Sequence, residues 1–244
     1  MCIRDSIQQN NTNSMIPSRI IGKTTGDNWI GLIDATYAII LTLLVIELPA
    51  IILESIKEVT TRVHSVAALS YLIGVLIVGY FSVFTIVYDI WSYHKALLFD
   101  AVKLRLFALS TGWLLFVSSL IPPFYYLVNH YAADAILHAG ESKELLICTR
   151  TFLFFLVLVL YLLLAFLAKS EKRQQGQSPE RKDDLEILYG TALSKAAITA
   201  VLMVTIDGIF YLPPPLGVLI LALSTYFRIN FFTRQRRPSA GRGR

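Results

Sequence analysis

Any chemistry in this chain has to come from a few polar side chains set in apolar sequence. Asp34 and Glu47 lie in the run Leu32-Ile33-Asp34-Ala35-Thr36-Tyr37-Ala38-Ile39-Ile40-Leu41-Thr42-Leu43-Leu44-Val45-Ile46-Glu47-Leu48-Pro49, and Asp89, Trp91, His94, Thr199, Thr205 and Asp207 follow later. A carboxylate among such neighbours is costly unless it is paired, hydrogen-bonded or wetted. Trp91, His94 and Asp207 are the candidate partners of Asp34. Such a group either anchors the helix that carries Asp34 or relays protons. The other reading makes Asp34 a helix-start carboxylate satisfied by nearby amides and water. Asp89, Trp91 and His94 beside Lys95 read as an interfacial anchor, with the indole at headgroup depth. Asp207 reads either as a helix-association group or as a second proton site. Nothing matches H-E-x-x-H, G-x-S-x-G or a phosphate-cradling glycine loop, and His64, His94, His130 and His138 share no ligand-like spacing. No enzyme activity, no cofactor and no bound metal is therefore expected. Cys2 and Cys148 make no disulfide framework.

The elements that must position these groups are membrane helices. Of the 244 residues, 55% are hydrophobic and 16% charged, and the mean hydropathy is +0.59. A water-soluble domain of this size cannot cover that much apolar surface. Apolar runs at 29–53, 66–88, 104–128, 147–168, 192–212 and 216–232 each approach the roughly 20 residues that cross a bilayer. The expected fold is an all-α polytopic protein with six transmembrane helices. It divides into a polar tail (1–28), helices one to four (29–168), a charged linker (169–191), a hairpin of helices five and six parted by Pro213, Pro214 and Pro215 (192–232), and a basic tail (233–244). Lys and Arg concentrate in the two tails, around 95–105 and in 169–195, leaving Lys57, Arg62, Lys143 and Arg150 on the other side. With an even number of spans that bias predicts N-in, C-in in the cytoplasmic membrane. The net charge of +5 then serves orientation, and neither nucleic acid nor a soluble partner is expected. Membrane lipids are.

On the first span, Ala35, Ile39, Thr42, Leu43, Ile46 and Ala50 fall within about 100° of arc, and Asp34 points about 140° away from Ile39. The stripe is either ordinary helix packing or a pore face. In the second case rings of Ile39, Leu43 and Ile46 from several copies form a constriction that closes by dewetting, with Thr42 hydroxyls beside it. Glu47 lies about 80° round from Ile39, at the mouth of such a pore. The chain lacks a Thr-Val-Gly-Tyr-Gly carbonyl filter.

The run from Asp34 to Leu44 resembles the start of the transmembrane protein 175 family of potassium channels, in its short bacterial form with six helices per subunit. That family opens with Arg, then Phe-Ser-Asp, then Ala-x-x-Ala-Ile-x-x-Thr-Leu-Leu. Asn28, Leu32 and Ile33 stand at the Arg, Phe and Ser positions here. Trp91-Ser92-Tyr93-His94 is similar to the family's Trp-x-x-His, and Leu114 to Pro122 to its third helix. The resemblance implies a homotetramer with the first helices around the pore, apolar rings at Ile39, Leu43 and Ile46, a Thr42 hydroxyl contributing to selection, and potassium as the permeant ion. Two other classes stay open: a proton channel or proton-coupled transporter using Asp34 and Asp207, and a non-conducting structural membrane protein.

Overall fold

The computed structural model of the chain describes residues 26–62, 66–98, 104–137, 143–173 and 179–208, and every element among them is a helix. In chain order these are α1 (Gly26–Arg62), α2 (Val66–Leu98), α3 (Leu104–Ser119), α4 (Ile121–Leu137), α5 (Lys143–Lys172) and α6 (Pro179–Gly208).

Helix α1 has 37 residues, about 56 Å at 1.5 Å per residue. Its apolar part is Trp29–Glu54, and the polar stretch after it overshoots a hydrocarbon core of about 30 Å. Ile33, Tyr37, Ile40 and Leu44 recur at helical spacing and are buried against the rest of the chain. Pro49 sits inside the helix and leaves the Val45 carbonyl without its usual amide donor.

The third apolar stretch is two helices rather than one. Pro122 and Pro123 cannot donate to the turn before them, so α3 stops at Ser119 and α4 restarts at Ile121, with both prolines in its first turn, where amides lack partners anyway. The joint is tightened by Leu120 N–H donating to the Val117 carbonyl at 3.2 Å and Ser119 Oγ donating to the Phe116 carbonyl at 2.7 Å.

Helices α5 and α6 make the most extensive helix pair. Val157, Leu160, Tyr161, Leu164 and Ala168 form the buried stripe of α5, while α6 contributes Leu185, Ala192, Ala196 and Thr199. The two buried alanines suit a close helix pair, since small residues are enriched where helices meet in lipid. Pro179 opens α6 with Glu180 in its first turn, a favourable pairing of charge with the amide end of the helix.

Two expectations are corrected here. Five helical stretches among the described residues are long and apolar enough to cross a membrane, not six: Trp29–Glu54, Leu76–Leu98, Leu109–Ala132, Lys143–Lys172 and Pro179–Thr205. The six-helix form of the resemblance gives way with that count. The run 216–232, the prolines 213–215 and both tails lie outside the described residues. The N-in, C-in assignment falls as well, because it required an even number of spans and drew on those tails. It also counted Lys195 as a loop residue, whereas Lys195 is 1% exposed within the fifth stretch. What stands is an all-α, multi-pass membrane protein.

Candidate functional site

Asp34 is held by α2. Trp91 Nε1 donates to its Oδ1 at 2.8 Å and Lys95 Nζ to its Oδ2 at 2.9 Å, and the Lys95 ammonium also lies 5.1 Å from the centroid of the Trp91 ring. Trp91 and Lys95 are four residues apart, hence neighbours on one face of α2. A carboxylate at the start of an apolar helix is thus satisfied by one indole N–H and one ammonium, a pairing that meets the demand membrane burial makes. Of the partners considered for it, Trp91 is in place. Lys95 is the partner not expected from the sequence.

His94 serves a second, deeper network. It is fully buried, with Nδ1 at 3.5 Å from the Tyr37 hydroxyl and Nε2 at 3.2 Å from Thr111 Oγ1. The Tyr37 hydroxyl also lies 3.2 Å from Ser118 Oγ. Tyr37 and His94 meet edge to face, with ring centroids 6.0 Å apart. One residue of α1, one of α2 and two of α3 therefore share a buried polar cluster. Tyr37 is placed there because it falls on the same face as Ile33, Ile40 and Leu44, which is the signal that could have found it: a hydroxyl-bearing ring on the buried side of an apolar helix needs a partner.

The opposite side of α1 is bare. Ile39 is 61% exposed, Leu43 43% and Ile46 65%, and Ala35, Thr42 and Ala50 are exposed with them. None of these side chains is packed inside the subunit. Thr42 Oγ1 donates to the Ala38 carbonyl at 2.7 Å, so its proton is satisfied within the helix while the oxygen keeps acceptor capacity. Glu47 is half-buried, and its Oε2 is buried with no hydrogen-bond partner among the described residues. The side chain of Asp207 lies outside the described residues.

A third cluster was not anticipated. Lys195 Nζ donates to both carboxylate oxygens of Asp89 at 2.6 Å, and Tyr161 Oη donates to Asp89 Oδ2 at 2.7 Å. Lys195 also sits 4.0 Å from the Tyr93 ring centroid. Asp89 is thus paired inside the subunit, and α2 continues as a candidate span to Leu98. The available signal was a lone lysine three residues into an apolar run, which requires an anion at the same depth. Among the described residues no group of three or more His, Cys, Asp or Glu could hold a metal ion.

Residues 30–122 match the family described as Endosomal/lysosomal potassium channel TMEM175. The match covers most of α1, all of α2 and α3 and the first residues of α4, which is the part that carries the Asp34 clamp, the Tyr37 cluster and the bare apolar stripe. That family consists of ion channels and not enzymes. No curated protein and no solved structure matches the chain.

Proposed function

We propose that the protein is a potassium-selective cation channel of the cytoplasmic membrane, assembled as a homotetramer with the four α1 helices around the axis. The observation that carries this is the two-sidedness of α1 within the channel-matched stretch: Ile33, Tyr37, Ile40 and Leu44 are buried in their own subunit, while Ile39, Leu43 and Ile46 are not. In a closed four-fold ring one face of an element meets its own copies, and on α1 the stripe of Ile39, Leu43 and Ile46 is free to do so. Rings of Ile39, Leu43 and Ile46 then form a constriction gated by dewetting. The Thr42 oxygens, with their protons turned inward to Ala38, lie beside it as acceptors for a cation. Glu47 stands near one end of the stripe. Asp34 and His94 do not touch the ion; they orient α1 through α2 and α3. Other exposed large side chains, such as Phe81 on α2, Trp113 and Phe116 on α3 and Phe166 on α5, face lipid.

Reconstitution in potassium-loaded vesicles tests the reading. Potassium efflux is expected in the unmodified protein and should rise in Ile39→Asn or Leu43→Asn, which wet the constriction. Absence of efflux in all three would reject the channel. A proton pathway predicts instead that Asp34→Asn and Asp207→Asn abolish pH-driven flux and spare potassium flux. A structural, non-conducting role predicts a monomer or dimer by native mass measurement.

A further inference from the structure

Helix α2 carries polar attachments on two opposite faces. At 100° per residue, Asp89 and Tyr93 lie about 40° apart, and Trp91 and Lys95 lie about 200° around from them. The second pair holds α1 through Asp34. The first pair receives Lys195 of α6, which is bonded to Asp89 and stacked over Tyr93, with Tyr161 of α5 as a further donor to Asp89. A second cation of α6, Arg181, donates from Nη2 to the carbonyls of Ala96 and Leu97 at the end of α2, at 3.1 and 3.3 Å. Those are the orphan acceptors every helix leaves at its C-terminus. Arg181 and Lys195 are 14 residues apart, about 21 Å along α6, so α6 grips α2 at two levels. Both cations lie outside the channel-matched stretch 30–122.

We propose that Lys195 is a positioning residue. By neutralising Asp89 within the membrane it sets the rotation and depth of α2, and through Trp91 and Lys95 on the far face of that helix it sets the position of α1. The pair is 2% and 12% exposed at the side chains, so it is not a screened surface contact. A buried charge held by one partner in fixed geometry specifies orientation more strictly than apolar packing does. This inference takes the channel reading as its functional setting, but the positional claim itself concerns α2.

The test uses the full chain with Trp29→Phe and Trp113→Phe, which leaves Trp91 as the reporter of the Asp34 clamp. In that background Asp89→Asn with Lys195→Met removes both charges together and leaves no unpaired ion to block assembly. Trp91 emission should move to longer wavelength, and potassium flux should fall about tenfold, the change that follows from a shift of about 1.4 kcal/mol in the conducting population. Tyr161→Phe, which keeps the ion pair and the packing, should move Trp91 emission in the same direction by less, and it decides the matter if the double variant does not assemble. Unchanged Trp91 emission in the variants that assemble overturns the proposal, whether or not flux falls. A shifted emission with no flux even in the unmodified protein leaves Lys195 as a positioning residue and rejects the channel reading instead.

Discussion

Lys95 meets Asp34 at 2.9 Å one helical turn beyond Trp91, so a single carboxylate of α1 is gripped by two residues on one face of α2. The two charged side chains keep 40% and 38% exposure, which limits what their attraction contributes. A double-mutant cycle of Asp34→Asn and Lys95→Met, followed by thermal unfolding in detergent, should give a coupling of about 0.2–1 kcal/mol. The coupling should shrink as salt is raised. A cycle that closes to zero at low salt would remove this pair from the account of how α1 is held.

Tyr37→Phe should be more costly. It deletes a buried hydroxyl that serves both Ser118 and His94, and leaving such groups short of a partner costs about 1–3 kcal/mol. Thr36→Val is the control: its hydroxyl bonds only the Leu32 carbonyl of its own helix, and the change should stay within about 0.5 kcal/mol. Equal unfolding midpoints for the two variants would contradict the cluster.

How far the sequence carried this reading depends on the residue. Which residues share a face of α1 was legible, because the angle between Ile39 and its neighbours follows from helical spacing alone; which face the subunit buries was not, since both are apolar. The partner of Tyr37 was not, since Ser118 lies 81 residues further on and nothing local to Tyr37 points to it. The apolar run of the second span stops at Tyr88 in the sequence, where Asp89 interrupts it. Lys195, 106 residues away, satisfies that charge inside a helix that runs on to Leu98. Charge marked a boundary in the sequence that pairing erased in the fold. The break at Leu120 is half visible in the sequence: Pro122 and Pro123 mark a place where a helix ends or restarts, yet the apolar run 104–128 passes through it.

Thr42→Val replaces the oxygen beside the apolar rings by a methyl group of similar size. If that oxygen assists a partly dehydrated cation, the potassium-to-sodium flux ratio in vesicles should fall, and Thr42→Ser should retain it. A ratio unchanged in Thr42→Val would take Thr42 out of selection and leave the constriction to the aliphatic rings.

The close approach of α5 and α6 depends on small side chains. Ala192 is 1% exposed at that contact, and Ala192→Leu should lower stability by about 1–3 kcal/mol through overpacking. Leu193→Ala, on the exposed face next to it, should change stability by less than about 0.5 kcal/mol. Unfolding in detergent compares them, and the reverse order would mean the helices are not packed through Ala192.

The buried lysine of α6 also constrains how the chain enters the bilayer during synthesis. A lysine inside a lone apolar helix raises the free energy of insertion, by up to about 2.5–3.5 kcal/mol at the centre. Asp89 is made 106 residues earlier, so its partner is already synthesised when α6 leaves the ribosome. The protein is thus expected to be assembled in order, with α6 recruited by the earlier helices. A nascent chain that lacks Asp89 should stall or expose α6 to quality-control proteases before any question of transport arises.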